Sequence, residues 1–178
     1  MKSNKINILV CFVGLVFLSF SASGAIPRIS KQSNNQNLNT FLPEGSFRGG
    51  ISGNGYSLLK IKRVYALNGK SERFILEIGN REGKPHIGKP GYFHAQLFRN
   101  PSELSLDLSQ LTMSRITQSD LNRIFTKSKL VAKSVLVLDA EDRSTHLSMQ
   151  FKYPVKMRVF TLSPKNKTSK LVIDVIRL

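Results

Sequence analysis

Two stretches of this chain, Ser102-Glu-Leu-Ser-Leu-Asp-Leu108 and Ser169-Lys-Leu-Val-Ile-Asp-Val175, follow one frame: Ser, charged, Leu, any residue, apolar, Asp, apolar. Apolar side chains at alternate positions are what a strand buried on one face requires. Each stretch follows a proline turn and another strand. Gln96-Leu-Phe-Arg-Asn-Pro101 precedes the first, and Val159-Phe-Thr-Leu-Ser-Pro164 precedes the second, with Lys165 to Thr168 inserted. Further upstream, Ser71-Glu-Arg-Phe-Ile-Leu-Glu-Ile78 stands before the first copy as Ser144-Thr-His-Leu-Ser-Met-Gln-Phe151 stands before the second. A small sheet cannot shield its own apolar face, so a duplicated set of strands predicts two halves that bury their faces against each other. The expected fold is mainly β: a β-sandwich of two similar three- to four-stranded halves with one connecting helix.

The rest of the chain fits around this repeat. Further strands are predicted over Ser57–Leu67, Tyr92–Phe98, Ser134–Leu138 and Val155–Leu162. The helix is expected after Ile116, where Leu121, Ile124 and Phe125 fall at helical spacing and Thr117 or Ser119 is available as the cap. From Ile26 to Gly55 the chain is polar and rich in glycine, with Lys31-Gln-Ser-Asn-Asn-Gln-Asn-Leu-Asn-Thr40 followed by Pro43, Gly45, Gly49, Gly50, Gly53 and Gly55. Such composition reads as a flexible arm over 26–55, with the folded domain spanning 56–178.

The first residues read as an export signal over 1–25. Lys2 and Lys5 precede an uncharged apolar run from Ile8 to Phe20, and Ser21-Ala-Ser-Gly-Ala25 supplies small residues for cleavage. The run is too short for a membrane span, which needs roughly 20 residues. The single cysteine, Cys11, lies inside this segment, so an exported domain would fold without disulfides. Export across the inner membrane is expected.

Charge defines the partner class. The chain carries 27 Lys and Arg against 11 Asp and Glu, a formal net charge of +16. A domain this basic meets a polyanion. Export turns that expectation from nucleic acid, which is not expected, to a carboxylate-rich wall polymer, lipid head groups or a host surface. Hydrolytic and cofactor chemistry find little support. Gly50-Ile-Ser-Gly-Asn54 lacks the spacing of a nucleophile elbow, and no dinucleotide loop is complete. His86, His94 and His146 are far apart in sequence and have no acids at ligand spacing, so no metal centre and no cofactor are expected. Asp107 and Asp174 occupy equivalent places in the repeat. They read as residues pinning a turn or meeting a neighbouring cation, not as an acid–base pair, and no catalytic residue is assigned.

Arg158-Val-Phe-Thr-Leu-Ser-Pro164 followed by Ser169-Lys-Leu-Val-Ile-Asp-Val175 resembles the closing hairpin of AMIN domains, and Ser71 to Ile78 resembles an earlier strand of that family. Lys170 stands where the family usually has arginine, and Lys165 to Thr168 lengthen the hairpin. The resemblance implies a non-catalytic periplasmic module that binds peptidoglycan and localises envelope machinery such as an amidase, a secretin or a pilus component. The alternative is an assembly protein that pairs strand edges with a secretin, pilus or secretion apparatus. Carboxylate recognition calls for cations beside aromatic faces. Lys156, Arg158 and Phe160 share one face of a strand, and Lys170 adjoins it. Arg73 and Arg99 are the expected first-copy counterparts. These six residues form the predicted ligand-binding set.

Overall fold

The computed structural model describes residues 40–53, 55–65, 69–139, 144–162 and 168–178. The segments expected to be signal and distal arm, up to residue 39, and the lysine-bearing turn at 163–167 lie outside these. Ten strands and one helix follow in order: β1 (Gly45–Gly49), β2 (Tyr56–Tyr65), β3 (Ser71–Gly79), β4 (Phe93–Phe98), β5 (Glu103–Leu108), β6 (Leu111–Ser114), α1 (Gln118–Phe125), β7 (Val131–Leu138), β8 (Thr145–Phe151), β9 (Val155–Leu162) and β10 (Lys170–Arg177). They form two five-stranded sheets packed as a sandwich. Sheet A has the order β6-β2-β3-β10-β9, and sheet B the order β1-β4-β5-β8-β7.

The expected β-sandwich and its repeat are present, and the strand order reveals how the halves combine. β2–β5 form the first half and β7–β10 the second. Each half places one hairpin in each sheet, so the central four strands read β2-β3-β10-β9 in sheet A and β7-β8-β5-β4 in sheet B. The halves are interleaved, which makes both sheets depend on both copies. β6 and β1 are the additions that complete five strands on each side.

Alternation explains the core. In β3 the buried set is Phe74, Leu76 and Ile78; in β5, Leu104, Leu106 and Leu108; in β8, Leu147 and Met149; in β9, Val155, Met157 and Val159; in β10, Leu171, Ile173 and Val175. These side chains meet between the sheets, and truncating any large one to alanine should cost about 2–5 kcal/mol. In β2 a register shift between Leu58 and Lys60 moves the inward parity, so that Leu58 and Ile61 are both buried. Toward the end of the strand Val64 and Tyr65 are on the surface at 51% and 62% exposure.

The helix forms where expected. Thr117 caps it in a capping box with Asp120, whose carboxyl lies below the ordinary range because the Thr117 backbone and side chain both donate to it. Leu121 and Phe125 face inward, and Phe125 meets Phe74 edge-on at 5.2 Å. The Gln118 amide also reaches the outer edge of β7, donating to Ser134 O at 2.9 Å and accepting from Leu136 N at 2.9 Å. One side chain thus does the work of a neighbouring strand on an edge that is otherwise open.

The arm expected over 26–55 is corrected for its described part. Leu42 exchanges two backbone hydrogen bonds of 2.8 Å with Met157, and β1 pairs with β4 from Gly45↔Leu97 to Gly49↔Phe93, burying Phe47. The folded unit therefore includes Leu42, well before Tyr56. Gly50 permits close packing there. Gly50 has φ +85°, and a Cβ there would sit 2.1 Å from Gly91 O, a backbone contact no other residue tolerates.

Candidate ligand-binding site

On the outer face of sheet A, β10 places Asp174 directly between Arg73 of β3 and Arg158 of β9. Arg73 grips the carboxylate in a fork, Nε to Oδ1 at 2.5 Å and Nη2 to Oδ2 at 2.9 Å. Arg158 binds Oδ2 from the other side through Nε and Nη2, each at 2.8 Å. Burial works against ionisation of Asp174, but hydrogen bonds from both arginines outweigh it and hold the carboxyl below its ordinary range. The same bond to Asp174 raises Arg73, with burial opposing. Two guanidiniums on one carboxylate leave the cluster with one net positive charge.

Aromatic rings frame it. Arg158 lies 4.8 Å from the Phe41 ring centroid and 5.4 Å from that of Phe160, and Arg73 lies 5.9 Å from Phe160. Cations over ring faces at such distances attract. A groove of about 470 Å³ runs past the cluster, lined by Phe41, Tyr65, Arg73, Arg158, Asp174 and Ile176 among others. The neighbouring row on this face is apolar: Phe160, Val172 and Ile75 stand side by side, and Val172 is fully buried although it points away from the core.

Three of the six expected residues, Arg73, Arg158 and Phe160, therefore converge on one place. Lys156 lies on the same face beside Ile176, one row from Asp174. Lys170 is on the face but sits opposite Glu77, which Lys62 already holds at 2.7 Å. Arg99 is corrected: it lies in the turn between β4 and β5 of sheet B, because the hairpin that follows β3 crosses to the other layer. Nor is Arg73 a separate first-copy counterpart, since interleaving brings it beside Arg158. Of the two readings the sequence offered for Asp174, pinning a turn or meeting a neighbouring cation, the structure has the second. Phe41 and Tyr65 were missed. Their places depend on the Leu42 bridge and the exposed end of β2, and no periodic pattern announces either.

The register also locates the counterpart of this cluster. Across sheet A one row runs Arg158, Asp174, Arg73, Val64. Across sheet B the equivalent row runs His94, Asp107, His146, Val137, with Arg48 of β1 beyond His94. Two histidines far apart in sequence thus flank one aspartate. His146 Nδ1 lies 3.9 Å from Asp107 Oδ1, and His146 Nε2 shares a 2.8 Å hydrogen bond with Ser144 Oγ. Among the described residues no three His, Cys, Asp or Glu side chains converge closely enough to hold a metal ion, and no helix is long and apolar enough to cross a membrane. No protein-family model and no curated protein matches this chain.

Proposed function

We propose that this protein is a non-catalytic periplasmic module that binds peptidoglycan, using the outer face of sheet A to meet the carboxylates of the wall polymer. One observation carries the reading: Arg73 and Arg158 are held side by side on buried Asp174 against Phe41 and Phe160. A guanidinium has five N–H donors, and here the Nε edge is spent on Asp174, leaving donors for a ligand carboxylate. Because the forks are fixed before binding, less side-chain entropy is lost on capture. The rings offer apolar faces to the sugar or peptide beside that carboxylate. The net charge of +16 and the signal-like first residues support an exported partner of opposite charge.

Co-sedimentation with purified sacculi tests the reading. The protein should pellet with sacculi at physiological salt and be released as salt rises, since exposed charge pairs are screened. Arg158→Gln should weaken retention about tenfold, the size of one charge-assisted hydrogen bond. Lys156→Glu should weaken it less, because Lys156 stands one row away. Failure of the wild type to pellet, or full retention by folded Arg158→Gln, would sink the proposal.

The alternative, docking of a secretin, pilus or secretion component by strand pairing, is favoured by the outer edge of β9. Among the described residues only Leu42 pairs with that edge, at Met157, and no described strand pairs with it at Val159 to Leu162. Crosslinking from Thr161 should capture such a partner, and the capture should be insensitive to salt.

A further inference from the structure

We propose that the outer face of sheet B is a second anion-binding site, formed by Arg48, His94 and His146 around Asp107, which takes a carboxylate or phosphate group when its histidines are protonated. This inference stands independently of peptidoglycan binding by sheet A.

The geometry is that of the sheet A cluster with imidazoles in place of guanidiniums. Asp107 holds the position of Asp174, His94 that of Arg158 and His146 that of Arg73, each fixed by strand register. The imidazoles leave the aspartate poorly satisfied. His94 Nε2 and Asp107 Oδ1 are both buried atoms without a hydrogen-bond partner, and the 3.9 Å approach of His146 is too long for one. Each is a buried polar atom whose hydrogen-bonding capacity is unmet, in one row of the sheet. With both histidines charged, the row carries three cations, Arg48, His94 and His146, against one carboxylate. That is the sign of the sheet A cluster, in the same strand register, with one cation more.

The charged groups beside His94 pull in opposite directions. Burial and Arg48 on β1 disfavour the charged form of His94, and Asp107 on β5 favours it, with a net downward shift. β8 contributes His146, and β7 contributes only Val137 to this row. Glu103 and Lys133 lie two rows away, with Glu103 held by Ser148 at 2.6 Å, and Asp139 closes the far end of β7. With both histidines neutral, the row's charge is balanced between Arg48 and Asp107. An incoming anion supplies the countercharge that lets His94 keep its proton. By linkage, anion binding and protonation must strengthen each other.

The test uses the full chain with polyglutamate as a carboxylate probe and inorganic polyphosphate as a phosphate probe, followed through the histidine Cε1–H resonances. Glutamate carboxyls titrate near 4.3, so polyglutamate stays largely ionised from pH 5.5 to 8. Affinity at pH 5.5 should exceed that at pH 8 by about tenfold or more, the size of one charge-assisted hydrogen bond. The His94 and His146 titration midpoints should move to higher pH on binding. In a His94→Gln/His146→Gln variant the pH dependence should flatten. Response to both probes assigns a general anion site, and response to one alone identifies its chemistry. Unmoved histidine midpoints in the wild type, or an unchanged pH slope in the double variant, would overturn the proposal. The midpoint measurement needs no variant and so stands even where the substitutions impair folding.

Discussion

The rows centred on Asp174 and Asp107 hold the same place in the repeat and differ in one chemical choice: arginines flank the first, histidines the second. Consequences spread from that choice. Arginine is long, forked and always charged, so two of them satisfy the carboxylate fully, and the Asp174 side chain is only 9% exposed. Imidazoles are shorter and offer fewer donors. Asp107 keeps an unpartnered oxygen, and its side chain is 34% exposed. The surroundings follow suit. Beside the arginine row stand Phe160, Val172 and Ile75, whereas beside the histidine row stand Gln96, Ser105 and Ser148. One scaffold used twice thus presents a fixed cationic face with aromatic edges and a polar face whose charge depends on protons.

The sharpest way to break this comparison is to remove each aspartate. Asp174→Ala leaves two guanidiniums facing each other without their carboxylate and should cost about 3 kcal/mol. That is the lower end for breaking a buried pair, because the Arg73 side chain is 43% exposed. Asp107→Ala should cost less than about 1 kcal/mol, since no hydrogen bond to it is lost. Urea midpoints of the two variants decide the matter, and equal losses would show that the rows are energetically alike.

A smaller effect tests where the halves diverge inside the core. Glu72 and Thr145 are equivalent by the register that aligns Arg73 with His146. Yet Glu72 is buried as a carboxylate, accepting from Ser128 Oγ at 2.7 Å and Lys129 N at 2.8 Å, with Arg63 at 3.4 Å. Thr145 needs only one bond, to Leu111 O at 2.7 Å. Ser128→Ala removes a donor from a buried carboxylate and uncaps the Leu130 and Val131 amides. It should cost about 1–3 kcal/mol, whereas Thr145→Val should cost toward the lower end of that range. A Ser128→Ala loss no larger than that of Thr145→Val would remove the asymmetry.

Acid separates the rows by pH. The depressed Asp174 carboxyl adds stability that is present above its unfolded value near 3.9 and is lost as pH falls through its folded value. His94 runs the other way in charge but not in slope. Its folded pKa lies below the unfolded value near 6.5, so the unfolded chain takes up the proton first and stability drops as pH falls below about 6.5. Urea midpoints measured from pH 8 to pH 3 should show two declines, the upper one absent in His94→Gln and the lower one absent in Asp174→Asn. A single decline shared by both variants would contradict the assignment.

The sandwich itself was legible because period-two alternation of burial runs through β3, β4, β5, β8 and β9, and because Ser71–Ile78 aligns with Ser144–Phe151, and Ser102–Leu108 with Ser169–Val175, in the register observed. The site was only half legible. Aligning the preceding strands on Pro101 and Pro164 is one residue out of step with their pairing, and one residue exchanges the two faces of a strand. That slip sets Arg158 against Ala95, a core residue, and hides its true counterpart His94. β1 was missed for a different reason. Gly45-Ser-Phe-Arg-Gly49 contributes one buried side chain, Phe47, and its pairing comes from the edge of β4 and not from any pattern of its own.

The mildest prediction sharpens the comparison by rewriting one row as the other. Replacing His94 and His146 together by arginine gives Asp107 the partners that Asp174 already has, at positions whose backbone spacing is set by the same antiparallel register. Exposure of this row limits the gain, because exposed ion pairs contribute about 0–1 kcal/mol, so urea stability at pH 8 should rise by about 0.5 kcal/mol. The decline below pH 6.5 should vanish, and polyglutamate should bind equally well at pH 5.5 and pH 8. A loss of more than about 1 kcal/mol would mean that the polar row of Gln96, Ser105 and Ser148 cannot accommodate guanidiniums. The apolar flank beside Asp174 would then be a requirement of the arginine pair and not its consequence.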